Sequence, residues 1–531
     1  MVFCLCYNIV TMTMGGKKLN LSIREKICQS VIIKADVELH KKLFGSVENF
    51  LKKYPIGGIF VGNEICQYNE QGTINDSVIE EYQKYSKIPL LVCMDGEQGV
   101  TGEKKHLLPS PLAIGATDDE EMAYRYSATI AKETVGSGIN WTFAPVVDLS
   151  INEANLLVTQ RALGDDANRV SHLLPSFIKG YQENGLFCTA KHFPGDGVDY
   201  RNQHIVKSEN SLSKEEWYEQ SGKMFKVAIE SGVDTIMVGH ISVPALQNDA
   251  IDGSYPPGTL SHDIMTKLLK EEMGFEGVVV SDALDMGGFL RWFYEQDEAE
   301  IKCFEAGCDM LLWPQLRVID NLEEKINNGE IPMERLDDAL SRIMKLKEKI
   351  RKTECDPKAF QYAEKTVKEL AEKGTYTIKN SMIPIDGEKI KKIRIVGIST
   401  NANEKNRVLG ILKDEFEKHG AKVETMECWC NYHADFSTVN KDYDLLIYAY
   451  VLEADEPNPV GSPAVTIHNS LIFDRDKTII ASFSSPYVFK EYCETAKTYV
   501  NSYRNETSVR TFVKGVYGEV EFSGKPSVKV I

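Results

Sequence analysis

Lys191 and His192 are followed closely by Asp196, Asp199, Arg201, Asn202 and His204. Such a density of titratable side chains can move protons and grip hydroxyl groups by charged hydrogen bonds. Pro194, Gly195 and Gly197 lie inside the stretch and force the chain out of regular structure, so most of these groups fall on a loop. A solvated polar loop is the bland alternative. A second stretch, GVVVSDALDM (277–286), ends an apolar run on Asp282. A carboxylate delivered there is partly desolvated and suits a nucleophile or general base, or else it caps the following helix.

The elements that must position these groups recur along residues 57–314. Short apolar runs read GGIFVGN (57–63), PLLVCMD (89–95), TFAPVVD (142–148), FCTAKHF (187–193), TIMVGHI (235–241), GVVVSDA (277–283) and DMLLWP (309–314). Helical patterns lie between them, at 120–135, 214–232 and 261–274. Near-continuous apolar strands alternating with helices indicate a mainly parallel sheet covered on both faces. The number of units favours a (β/α)₈ barrel over an open sheet. Polar residues close nearly every run: Asn63, Asp95, Asp148, Lys191 with His192, His240, and Ser281 with Asp282. A barrel gathers such strand ends around one mouth, where active sites sit.

The predicted organisation is an N-terminal extension (1–20), a (β/α)₈ catalytic domain (21–350), a linker helix (351–378) and a smaller α/β sandwich domain (379–531). The last rests on KIRIVGIS (392–399), YDLLIYAYV (443–451), KTIIASFS (477–484) and KTYVNSY (497–503). No GxGxxG or phosphate-binding glycine loop occurs, which argues against a nucleotide or a nicotinamide cofactor.

With 43% hydrophobic and 26% charged residues, the 531-residue chain has globular composition. Its net charge of -17 argues against a nucleic-acid groove or a polybasic membrane patch. No apolar run is long enough for a transmembrane helix. The N-terminal apolar stretch precedes Lys17 and Lys18, the reverse of a secretory signal, and the twelve cysteines are scattered singly. Both point to a cytoplasmic protein. Cys428, Cys430 and His433 form one local cluster, read as ordinary core and surface residues because no fourth metal ligand lies nearby.

KHFPGDGVDYRNQH (191–204) resembles, without a gap, the KHFPGHG-x4-D-S-H signature of glycoside hydrolase family 3, in its β-N-acetylglucosaminidase branch. MDGEQG (94–99), FAPVVDL (143–149), RALGDD (161–166), MVGHISVP (237–244), GTLSHDIMTKLLKEEMGFEGVVVSDALDM (258–286) and AGCDMLLWP (306–314) agree in order. The resemblance spans residues 22–350 and continues more weakly to the end through SSPY (484–487) and FSGKPSVKV (522–530). It implies a retaining mechanism with Asp282 as nucleophile and a histidine acid/base, His204, on a mobile loop. It implies that Asp95, Arg161, Lys191 and His192 hold the sugar, and that the Lys191–His192 peptide is cis. No metal or cofactor is implied.

Two departures stand out. The aspartate that assists the histidine is Asn202, which can orient an imidazole but cannot raise its pKa by charge; Asp199 or another carboxylate is the candidate substitute. The family's DxEGG is DGEQG, so Gln98 replaces a glycine near the pocket wall. The expected function is exo-hydrolysis of terminal β-linked N-acetylglucosamine from muropeptides or chitooligosaccharides, as in cell wall recycling. The alternatives are a β-N-acetylglucosaminide or β-glucoside phosphorylase, and a non-hydrolytic carbohydrate-binding homologue.

Overall fold

The computed structural model describes residues 12–14, 17–62, 77–99, 108–351, 354, 356–399, 401–427, 442–451, 475–490 and 496–530. Asn63 and the Cys428–Cys430–His433 cluster lie outside the described residues.

Eight parallel strands close into a ring. They are β1 (Val31–Lys34), β2 (Gly58–Phe60), β3 (Leu91–Met94), β4 (Trp141–Thr142), β5 (Thr189–Phe193), β6 (Thr235–Val238), β7 (Val278–Ser281) and β8 (Leu311–Leu312). A five-stranded arc, β8-β1-β2-β3-β4, meets a three-stranded arc, β7-β6-β5. Parallel bridges at Trp141–Phe187 and Val280–Met310 join them.

Alternation along each strand explains why the runs look wholly apolar. Ile32, Leu91, Trp141, Met237, Val278 and Leu312 share one buried cluster, while Val31, Val92, Ile236, Val279 and Leu311 belong to another with the surrounding helices. Even Trp141 is satisfied: its Nε1 donates to Thr189 Oγ1 at 2.8 Å and Thr235 Oγ1 at 3.0 Å.

Strand β1 carries SVIIKAD (30–36), a run the sequence reading passed over. It is only four residues long and sits directly between two helices, Ile23–Gln29 and Val37–Phe44. The expected helix over 214–232 is two, Lys214–Glu219 and Ser221–Glu230. They break at Gln220, whose side-chain oxygen accepts from Ala167 N at 3.0 Å.

Helix Met333–Glu348 is the last before the barrel gives way to helix Ala359–Gly374. A six-stranded sheet follows: β9 (Tyr376–Lys379), β10 (Lys392–Ile398), β11 (Lys422–Glu427), β12 (Leu445–Tyr450), β13 (Thr478–Ser482) and β14 (Thr498–Asn501). The order is β9-β14-β13-β12-β10-β11, with β9 antiparallel and the others parallel. The five parallel strands thus have a 2-1-3-4-5 doubly wound order. One face packs Ile393, Ile395, Leu445 and Ile447 with Leu412 and Phe512 of helices Ala402–Lys418 and Glu506–Val516.

The other face, with Tyr448, Tyr450 and Tyr499, includes Leu112 from the barrel side. Tyr487 Oη reaches Ser150 O at 2.9 Å, and Lys525 N reaches Ala116 O at 2.8 Å. The second unit is therefore docked on the barrel's loops. Among the described residues no helix is long and apolar enough to cross a membrane.

Candidate active site

A cavity of about 460 Å³ opens at the C-terminal ends of the barrel strands. Its walls bring together Asp95, Arg161, Lys191, His192, His204 and Asp282, six of the seven residues singled out in the sequence. The seventh, Asn202, stands behind His204 and holds it.

Strand β7 delivers Asp282, whose backbone N–H donates to Val238 O at 2.8 Å and whose Oδ1 accepts from Ala283 N at 2.8 Å. Burial works to raise its pKa. His192, His240, the Ala283 amide and Lys191 outweigh that and hold the carboxyl below its usual value, so it is ionised. His240 is wholly buried; its Nε2 lies 3.0 Å from Ala283 O and its Nδ1 2.9 Å from Thr259 Oγ1. A carbonyl can only accept, so Nε2 carries the proton. Burial lowers the pKa of this ring, against the pull of Asp282.

Two of the sugar-gripping candidates, Lys191 and Arg161, share one half-buried carboxylate, Glu97. Lys191, only 2% exposed, lies 2.8 Å from Glu97 Oε1 and 2.9 Å from Asp95 Oδ1. Arg161 takes Glu97 in a two-pronged grip, Nε to Oε2 at 2.8 Å and one terminal nitrogen to Oε1 at 2.6 Å. Burial pushes the Glu97 carboxyl up, but Arg161 and Lys191 together hold it far below the usual range. Glu97 stands within MDGEQG but is not singled out there; a glutamate three residues past a strand end carries no signal of two cations converging on it. The peptide between Lys191 and His192 is cis, as the resemblance implies.

Asp148 fixes the adjoining ring: His192 Nδ1 lies 2.7 Å from Asp148 Oδ2, and the His192 backbone N–H points at the same carboxylate. Asp148 also accepts from Asp196 N at 2.8 Å. Burial first, then the charge of Asp148, raises Asp196 to about 6. Asp196 in turn accepts from Asn155, Gly197 N and Gln203 Nε2. These bonds anchor the base of the loop. Gly197 is required there: its φ is +94°, and a Cβ would lie 1.9 Å from Leu149 O.

His204 is held at its outer end. Asn202 Oδ1 accepts from the His204 backbone N–H at 2.9 Å and lies 2.9 Å from His204 Nδ1. Because the backbone amide can only donate, that atom is oxygen, so Nδ1 carries its proton toward it and Nε2 is the site left for proton transfer. Asp199 does not substitute: it is engaged by Arg201 Nε at 2.5 Å and Glu209 N at 2.9 Å. Partial burial lowers the imidazole pKa; Asp282 opposes this, while Arg161 and His192 add to it.

The loop is also pinned from the strand that brings Asp282. Gly287 N donates to His204 O at 2.8 Å and Gly288 N to Gln203 O at 3.1 Å. A Cβ on Gly287 would lie 2.3 Å from Ile205 O and 2.9 Å from His204 O. Gly287→Ala is therefore expected to displace His204. An ångström of misplacement costs about 10²-fold, and the loss should fall on turnover of a disaccharide more than on glycosylation by an aryl glycoside. Steady-state kinetics on both substrates checks this; equal turnover in the variant would show that the glycines do not position the loop.

Residues 22–346, more than half the chain, match the sequence model of the glycosyl hydrolase family 3 N terminal domain. The chain is 29% identical over 494 residues to a β-N-acetylglucosaminidase/β-glucosidase of Cellulomonas fimi, covering 85% of this chain and 86% of that protein. Among solved structures it is similar to a β-glucoside phosphorylase, with TM-score 0.82, 27% identity, and 96% and 95% of the two chains covered. A β-N-acetylglucosaminidase from Paenibacillus sp., at 23% identity, shares the fold with TM-score 0.81 over 96% of this chain and 99% of that one.

Proposed function

The chain belongs to glycosyl hydrolase family 3, and from that premise we propose a retaining, exo-acting β-N-acetylglucosaminidase. Asp282 attacks the anomeric carbon and forms a glycosyl ester. His204, protonated at Nε2, gives its proton to the departing oxygen, then takes one from the water that hydrolyses the ester. Asp95, Arg161, Lys191 and His192 hold the sugar hydroxyls, and Asn202 orients the imidazole. The substrates are N-acetylglucosamine-terminated muropeptides or chitooligosaccharides, and the work is cytoplasmic cell wall recycling.

One observation carries this reading: an ionised carboxylate at a strand end and a histidine with a fixed tautomer line the same cavity as the ion-paired Lys191–Glu97–Arg161 set. The names of relatives, β-N-acetylglucosaminidase/β-glucosidase of C. fimi and the β-hexosaminidases, support the amino-sugar substrate.

Phosphorolysis is the second reading. It is favoured by likeness to the β-glucoside phosphorylase and by Asn202, which leaves no extra negative charge beside the acid/base to repel phosphate. The test is an assay of 4-nitrophenyl β-N-acetylglucosaminide and β-glucoside with and without phosphate. Free N-acetylglucosamine released at equal rates in both conditions is expected. Sugar 1-phosphate formed only with phosphate would replace the hydrolase by the phosphorylase, and faster glucoside turnover would overturn the amino-sugar preference.

A further inference from the structure

Arg504 comes from the second domain, on the short link between β14 and helix Glu506–Val516, yet it lines the catalytic cavity together with Asp282, Arg161 and His204. It arrives there because the two domains present matching edges. The barrel offers the C-terminal ends of its strands. The second sheet offers the C-terminal ends of β13 and β14: Phe483 and Ser484 follow β13, and Tyr503, Arg504 and Asn505 follow β14. These five line a small space between the domains, with Gln98 and Gln160 opposite. Gln98, Gln160 and Arg504 also line the catalytic cavity, so they form the partition between the two spaces. Ligands of both architectures bind at such carboxyl edges.

Two further observations bear on this partition. Gln98 stands where the family pattern has glycine, so this chain adds a side chain to the wall that Arg504 completes. The backbone at Arg504 is fixed: its carbonyl accepts from Arg407 at 2.7 Å, and Arg407 is paired with Glu404 at 2.8 Å. Burial lowers the pKa of the Arg504 guanidinium, Glu404 opposes this, and Arg407 adds to it.

We propose that Arg504, with Gln98 and Gln160, forms a wall of the sugar site, so that the second domain supplies a binding residue for the glycone. The placement follows from the neighbours. Gln98 and Gln160 adjoin Glu97 and Arg161 in the chain, and Arg161 belongs to the set read above as holding the sugar hydroxyls. A guanidinium and two amides there donate to those hydroxyls. The inference rests on the placement of the glycone given under the proposed function, not on which sugar it is.

The test compares wild type, Arg504→Lys, Arg504→Ala and Tyr487→Phe on whichever of the two nitrophenyl glycosides the wild type turns over, so a wrong choice of sugar leaves the comparison intact. Arg504→Ala is expected to raise KM at least about tenfold, the loss of a hydrogen bond to a charged group, with kcat much less affected. The Kd of the free sugar product should rise by the same factor, with Arg504→Lys intermediate. Tyr487→Phe removes the Oη bond to Ser150 without touching the cavity and should leave KM in place. Unchanged KM and Kd in Arg504→Ala would overturn the proposal. So would an equal rise in Tyr487→Phe, which would assign the effect to domain docking.

Discussion

Asp282→Ala is expected to lower turnover by about 10³-fold or more, the range for loss of a covalent nucleophile, without unfolding the protein. The carboxylate is held ionised by His192, His240 and Lys191 against the cost of its burial, so the charge is maintained for a purpose other than packing. Among the described residues the Asp282 carboxylate accepts from the amide of the next residue, Ala283. Loss of that bond leaves a donor facing an open cavity, which water satisfies. Initial rates on a nitrophenyl glycoside with a parallel thermal melt check the expectation. Azide should then restore turnover by entering from the vacated face and giving the α-azide. Retention of more than a tenth of the wild-type rate would remove Asp282 from the nucleophile role.

His204→Ala is expected to slow a natural disaccharide by about 10²–10⁴-fold, the usual contribution of a positioned acid/base. A nitrophenolate leaves largely unaided, so glycosylation by the aryl glycoside should suffer less. Asn202→Asp should move the natural substrate the other way. His204 is a weak base here because partial burial, with Arg161 and His192, lowers its pKa against the pull of Asp282. The acid role needs the imidazolium, so the alkaline limb of kcat/KM is displaced below where an ordinary histidine would set it. An aspartate accepting from Nδ1–H favours the imidazolium, raises that pKa and carries the alkaline limb to higher pH. The acid limb, set by ionisation of Asp282, should move little. A pH–rate profile decides: an unmoved alkaline limb, or natural-substrate turnover unchanged or lower in Asn202→Asp, would show that position 202 does not govern His204.

Legibility in the sequence followed how local the cause was. The apolar runs of the barrel and of the second sheet were readable because each strand is buried on both faces and its residues say so individually. Strand β1 was not, because the chain passes from helix Ile23–Gln29 through it into helix Val37–Phe44 with no glycine or proline to set it apart. Strands β9 and β11 were missed for another reason: Tyr376–Lys379 and Lys422–Glu427 carry lysines and glutamate, as sheet edges do. At the site, the loop signature located His204 and Lys191 because Pro and Gly mark it. Glu97, Asp148 and Arg504 owe their places to partners distant in the chain. The partnership of Asn202 with His204, and the commitment of Asp199 to Arg201, are matters of a few ångströms that spacing alone does not set.

Glu97 sits between Arg161 and Lys191 and satisfies both, and this has a consequence for how the protein can change. Lys191 is buried, Glu97 and Arg161 are half-buried, and their charges compensate one another. A neutral replacement of Glu97 leaves Arg161 without its carboxylate in the barrel mouth, and loss of such a partner costs several kcal/mol in buried settings. In a randomised library these positions should therefore survive selection as a block or be altered two at a time. Position 98 next door, outside the charge set, is open to single steps, as is 504 on the opposite wall. New sugar preferences should accumulate along that seam between the domains first, with the inner trio as the slow variable of the lineage.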